Sequence, residues 1–216
     1  MVVLEKDKSV VVNPSGDFYS SVSNVLADSK TFVSLCTDAD CLVVSFCCEN
    51  NPFVLDNFYL SDNDSLFKQE VFEVFVSSGD GVPVNYLELE INPNNALFLG
   101  KIHNPSGVGG DSKTLRMLDD DLSDVVHGVS VKKDSWSGFV KIPFDLIDRV
   151  SESVSGGVYM INFFRVVANV QPVSKDWVCG VGNSDFLCWK STESPVKPNF
   201  HVAGSLSKLV VLPSDV

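Results

Sequence analysis

The sequence predicts an all-β fold: an antiparallel two-sheet β-sandwich with one short crossover helix and long loops. Three observations predict it. Runs of β-branched and aromatic residues recur at short spacing, turn-forming Gly, Asn, Asp and Pro separate them, and one stretch alone carries helical signals. With 216 residues, 44% of them hydrophobic, the chain can bury a full core, so residues 1–216 are read as a single domain.

In chain order, the first strands fall at residues 31–36 and 42–48. Between them lies Thr37-Asp38-Ala39-Asp40, a turn composition that makes the pair a hairpin. Residues 71–76 and 84–91 form a second pair. In the latter, Tyr86, Glu88 and Glu90 alternate with Leu87, Leu89 and Ile91, so one face is polar and the other apolar. Asn92-Pro93-Asn94-Asn95 turns the chain into a strand at 96–102. Further strands follow at 125–132, 136–142, 158–167 and 207–212. The helix begins with Pro143 in its first turn and carries Phe144, Leu146, Ile147 and Val150. Residues 104–124 and 170–199 are rich in Gly, Ser, Pro and Asp and are read as long loops, where binding residues tend to reside.

Charge removes some functions. The chain has 16 basic and 28 acidic residues and a net charge of -12, which would repel a phosphate backbone or an anionic membrane. No apolar run approaches the roughly 20 residues that span a bilayer. Residues 1–16 hold Glu5, Lys6, Asp7 and Lys8 where a secretion signal needs an apolar stretch, so the expected location is cytoplasmic, or extracellular if the N-terminus is processed. The six cysteines (Cys36, Cys41, Cys47, Cys48, Cys179, Cys188) show no CxxC spacing and are expected to be reduced thiols packed as small hydrophobes.

Several segments carry the residue types of known chemistry. Gly107-Val108-Gly109-Gly110-Asp111-Ser112-Lys113-Thr114 has Ser112 where a phosphate-binding loop needs glycine before its lysine. It is read as a flexible Gly-rich loop. The histidines His103, His127 and His201 are far apart, with no nucleophile elbow or HExxH helix to gather them. Asp119, Asp120, Asp121 and Asp124 form one acidic cluster and Asp62-Asn63-Asp64 another. Both offer hard oxygen ligands suited to a structural calcium, without the spacing of a calcium loop. Among the tryptophans, Trp136 is assigned to the core, whereas Trp177 and Trp189 fall in a polar region where a flat ring can stack on a sugar.

The stretch Phe67-Lys68-Gln69-Glu70-Val71-Phe72-Glu73-Val74-Phe75 resembles the family 9 carbohydrate-binding modules and the wider DOMON-like group. It is followed in the same order by Tyr86-Leu87-Glu88-Leu89-Glu90-Ile91-Asn92-Pro93-Asn94, by Trp136-Ser137-Gly138-Phe139-Val140-Lys141-Ile142-Pro143-Phe144 and by Asn162-Phe163-Phe164-Arg165. Trp189-Lys190-Ser191-Thr192 and Pro198-Asn199-Phe200-His201 resemble the closing segment. The resemblance implies a β-sandwich with a slot that holds a sugar between aromatic rings, its hydroxyls bound by acids, amides and a basic residue.

By motif position, Phe67 would be one wall with Glu70 and Glu73 beneath it. Glu88, Asn162 and Arg165 would line the slot, and Trp189 with His201 would close it. Phe67 stands where the sugar binders have Trp, and His201 where they have a second stacking Trp. A Glu73–Arg165 ion pair joining the sheets is the structural alternative for those two residues. The expected function is a non-catalytic module for a mono- or oligosaccharide, not an enzyme. Two alternatives use the same fold: a haem-binding DOMON-like domain with His201 and Met160 as axial ligands, or an intracellular interaction or scaffold protein, with a protein partner, that has lost the sugar site. An enzyme using Glu70 and Glu73 as acid and base is the remaining reading.

Overall fold

The computed structural model describes residues 1–194 and 196–213. Its strands are β1 (Val2–Glu5), β2 (Ser9–Val11), β3 (Tyr19–Ser20), β4 (Thr31–Asp38), β5 (Cys41–Cys48), β6 (Val71–Ser78), β7 (Asn85–Ile91), β8 (Leu97–His103), β9 (Thr114–Met117), β10 (Val126–Val131), β11 (Trp136–Pro143), β12 (Val158–Ala168), β13 (Ser184–Cys188) and β14 (Ser207–Leu212). One α-helix, α1 (Phe144–Ser151), lies between β11 and β12. The larger sheet runs β1-β14-β12-β6-β7-β8-β9, with β13 pairing β12 and β3 beside it, and the smaller runs β10-β11-β5-β4-β2. Helix α1 therefore carries the chain from one sheet to the other. Among the described residues no helix is long and apolar enough to cross a membrane.

The expected strands are present, with differences at their margins. Pro143 is the last residue of β11, paired with Cys41, and stands just before the helix, not in its first turn. Its φ of -58° and ψ of 134° suit the end of an edge-compatible strand as well as a helix entry. The two segments read as loops contain β9 and β13 together with 3₁₀ turns at Gly110–Ser112 and Asp119–Asp124. The short β1, β2 and β3 went unread because their pairing is supplied from afar. β1 lies parallel to β14, with Val2 opposite Leu209, and β3 pairs β13. Such partners leave no periodic trace in a segment of two to four residues.

The period-2 alternation of strands gives the larger sheet two chemically different faces. Phe72, Val74 and Val76 of β6, Leu87, Leu89 and Ile91 of β7, and Ile161, Phe163 and Val167 of β12 point inward and form one buried cluster with β4, β5 and β11. Phe46 of β5 stacks on Phe72 across the sandwich at 4.2 Å between ring centroids, and Trp136 meets Phe46 edge-on at 5.0 Å. Such aromatic pairs add about 0.5–1.5 kcal/mol beyond their buried area. The outward face carries a second cluster that includes Phe75, Tyr86, Phe98, Phe164 and Phe200. Loop segments that contribute Tyr59, Leu66 and Leu206 cover part of it.

Candidate functional site

Glu70 precedes β6 by one residue and shares the inward parity of Phe72, so it lies between the sheets. Its Oε1 accepts hydrogen bonds from Arg165 Nε at 3.1 Å and Trp136 Nε1 at 3.0 Å. Arg165, with no exposed surface, also donates to the carbonyls of Lys30 (3.0 Å) and Glu49 (3.1 Å) and to Thr31 Oγ1 (3.3 Å). This corrects two expectations. Arg165 does not pair with Glu73, and neither Arg165 nor Glu70 shares a face with Glu73, because positions 70 and 73 differ by an odd number and alternate across the sheet. An acid–base pair of Glu70 with Glu73 is excluded by the same separation.

Glu73 points outward. Its Cα partner on β7 is Glu90, and the next outward position pairs Phe75 with Glu88. One carboxylate oxygen from each of Glu73, Glu88 and Glu90 lies within 4.8 Å of the other two. These three acids line a cavity of about 300 Å³ with Phe67, Phe98, Lys113, Leu115, Val166, Phe186, Pro198, Asn199, Phe200 and His201. The Phe67 ring is 46% exposed, whereas Glu73 and Glu90 are 2% and 1% exposed. The arrangement is a polar floor below an open aromatic surface.

Burial dominates the electrostatics of that floor. Taking Glu73 out of water raises its pKa well above the usual carboxylate value, and neighbouring Glu88 raises it further. Burial pushes Glu88 up to about 7, against the opposing pull of Lys113. Glu90 is also raised well above its ordinary value by burial and then by Glu73 and Glu88, although the Phe67 backbone amide favours its charged form. Like charges this close resist ionising together. Glu90 Oε2 is fully buried and has no hydrogen-bond partner among the described residues.

His201 forms one side of the cavity. Its ring stacks on Phe75 at 5.1 Å, its Nδ1 meets Tyr86 Oη at 2.9 Å, and its Nε2 meets Lys113 Nζ at 2.8 Å. Glu88 Oε1 is 3.7 Å from the same Nε2. Burial, assisted by Lys113, depresses His201 to about 3, so the ring is neutral at ordinary pH. A lysine ammonium only donates, which assigns the acceptor role to Nε2 and the proton to Nδ1, directed at Tyr86.

The glycine-rich segment before Lys113 positions this side. Asn104 Oδ1 accepts from the Gly109 amide at 3.0 Å, and Asn104 Nδ2 donates to the His201 carbonyl at 2.9 Å. Asn199 Nδ2 donates to the Val108 carbonyl, and the Ala203 amide to that of Gly107. The segment is thus latched onto residues 199–203. Gly109 has φ +71°, and a Cβ there would sit 3.1 Å from His201 Cβ. Gly109→Ala is expected to destabilise the fold by about 1–2 kcal/mol, through left-handed backbone strain and the displaced histidine. Urea denaturation would register it; no loss of stability would show that the loop yields freely.

Of the eight residues assigned to a slot, the structure brings together Phe67, Glu73, Glu88 and His201 in the cavity lining. The other four lie elsewhere. Glu70 and Arg165 are between the sheets, and Trp189, 8% exposed, packs there on Phe163 at 5.4 Å with Lys190 Nζ 4.3 Å from its ring centroid. Asn162 is fully buried. It accepts from the amides of Phe163 and Lys190 and donates to the carbonyls of Lys190 and Ser205, fastening two loop segments to β12. Glu90 and Lys113 join the site without having been singled out. Glu90 was legible from its alternation with Glu88, whereas Lys113 depends on how a 20-residue segment folds back.

The acidic clusters considered for calcium tie loops together. Asp62 Oδ1 and Asn63 Oδ1 accept from the amides of Leu97 and Leu99, Asn63 Nδ2 donates to Asp119, and Asp64 pairs with Lys175. Met160, considered with His201 for haem, lies on β12 opposite Ser77 and Lys208.

Fold and site together define a two-sheet β-sandwich that bears a cavity on the outer face of the larger sheet. That architecture is the fold of family 9 carbohydrate-binding modules. A module of this family from Caldicellulosiruptor kristjanssonii in complex with glucose superposes with a TM-score of 0.56 at 10% identity, covering 99% of this chain and 96% of that one. The same organism's module in complex with cellotriose gives 0.56 at 12% identity, over 99% and 94% of the two chains. A Bacteroides uniformis protein assigned to carbohydrate binding gives 0.64 at 13% identity over 98% and 99%. Identities this low establish the shared fold. An extracellular protein of Arthroderma benhamiae is 26% identical over 186 residues, 84% of this chain and 78% of that protein. No family model matches the chain.

Proposed function

We propose that this chain is a non-catalytic carbohydrate-binding module that takes a mono- or oligosaccharide in the outer-face cavity. The observation that carries the reading is the pairing of an exposed flat ring, Phe67, with a buried floor of hydrogen-bond acceptors, Glu73, Glu88 and Glu90, in one hollow. A pyranose presents an apolar C–H face to such a ring and donor hydroxyls to such carboxylates. A volume of about 300 Å³ lies at the lower end of small-molecule pockets, roughly 300–1,000 Å³, and suits one sugar residue with the chain continuing outward. The glucose and cellotriose complexes of the C. kristjanssonii module on this fold support a sugar ligand. The A. benhamiae relative, an extracellular protein, favours a site of action outside the cell over the cytoplasmic expectation.

Calorimetric titration of the folded chain with a panel of mono- and disaccharides tests this. Phe67→Ala is expected to weaken the best ligand about tenfold, ~1.4 kcal/mol. Glu73→Gln is expected to weaken it about tenfold, ~1.4 kcal/mol, because an amide nitrogen replaces one acceptor oxygen. Absence of heat with every sugar would remove the reading.

A further inference from the structure

The cavity floor gathers three buried carboxyl groups, Glu73, Glu88 and Glu90, and among the described residues no ammonium or guanidinium lies within salt-bridge distance of them. Among the described residues, the Glu73 carboxyl is 2% exposed and forms no salt bridge, and Glu90 Oε2 has no partner although Glu90 is 1% exposed. The cation in the cavity wall, Lys113, directs its Nζ to His201 Nε2 at 2.8 Å and pairs with none of the three acids at salt-bridge distance. His201, the other candidate cation, is neutral. Buried acids without a counter-charge stay protonated, so a ligand that brings a positive group supplies the missing partner for their ionised form.

We propose that the preferred sugar carries a free ammonium group, as an unacetylated hexosamine does, and that Glu73, Glu88 and Glu90 receive it; this rests on the carbohydrate reading above. Each neutral hydroxyl donates one hydrogen bond, whereas an ammonium donates three in a tripod. Three acceptor oxygens within 4.8 Å of one another match that tripod. A bare divalent cation fits less of the site. Calcium takes six to eight oxygens, and most of the remaining lining is carbon, from Phe67, Phe98, Leu115, Val166, Phe186 and Phe200, while His201 Nε2 and Asn199 Oδ1 already bond Lys113 and the His201 amide; this offers a sugar ring an apolar seat and a metal too few oxygens.

The test titrates the full chain near neutral pH with D-glucosamine, D-glucose, N-acetyl-D-glucosamine and calcium chloride. Glucosamine is expected to bind at least about tenfold tighter than the other two sugars. Glu90→Gln, which keeps the shape, is expected to reduce glucosamine affinity more than glucose affinity. If that variant fails to melt cooperatively, Glu73→Gln takes its place. Equal affinity for glucosamine and glucose overturns the inference and leaves the carbohydrate reading intact. No heat with any sugar removes both. Tight calcium binding that Glu90→Gln abolishes, without a glucosamine preference, overturns the inference in favour of a metal site.

Discussion

Arg165→Met is expected to destabilise the protein by about 3–5 kcal/mol, because it strands a carboxylate between two sheets. Glu70 is 2% exposed, and burial pushes its pKa up against the pull of Arg165 and the Trp136 indole N–H. Remove the guanidinium and the acid must either lose its charge or draw water into the core. The same substitution frees the carbonyls of Lys30 and Glu49 at the open end of the β4–β5 hairpin, loosening one sheet from the other. Urea denaturation monitored by Trp136 fluorescence would measure the change. A double variant, Glu70→Leu with Arg165→Met, is expected to recover most of it, since apolar replacement of a whole buried pair is often neutral or better. A loss below about 1 kcal/mol in the single variant would mean that water already reaches the pair.

The ligand-free protein is expected to lose stability as pH rises from about 6.5 to 8, on the order of 1.4 kcal/mol per pH unit for each proton retained by the fold. The sign follows from the cavity floor. Glu73, Glu88 and Glu90 have folded-state pKa values above the ordinary 4.5, Glu88 reaching about 7. The folded state therefore binds more protons than the unfolded state, and the difference disappears as these groups ionise. Below pH 6.5 the depressed His201 works in the opposite direction, because the unfolded chain takes up a proton that the fold excludes. Above pH 8 the thiols of buried Cys48 and half-buried Cys179, each pushed up to about 12, add a second decline. The window between isolates the carboxylates. Chemical denaturation across it, repeated with Glu73→Gln and Glu90→Gln, should show a decline that each variant flattens; stability that rises with pH in the parent would contradict the proposed protonation of the floor.

Much of this fold could be read locally. The alternation from Tyr86 to Ile91 gave both the strand and its two faces, and the Asp-rich turn between residues 36 and 41 gave a hairpin. Segments whose pairing depends on distant strands gave no such signal, as β1 beside β14 illustrates. The site was half legible. Phe67, Glu73 and Glu88 follow from motif order, but assigning Glu70 to the same slot ignored the parity that separates it from Glu73. Trp189 was drawn toward a ligand by the polarity of its neighbours, although β13, which ends at Cys188 just before it, delivers it to the interior beside Phe163. Lys113 could not be found from sequence because nothing local announces that Asn104 and Asn199 clasp the loop that bears it.

Strand β7 writes two messages in interleaved letters, one apolar and one acidic. A single-residue deletion or insertion there would exchange them, turning Leu87 and Leu89 away from the core and driving Glu88 and Glu90 into the seam between the sheets. Point substitutions can thus vary the chemistry of the cavity floor while leaving the scaffold alone, but a change in length cannot. Lineages that diversify what this surface recognises should therefore do so by replacing every second residue, with the spacing held fixed.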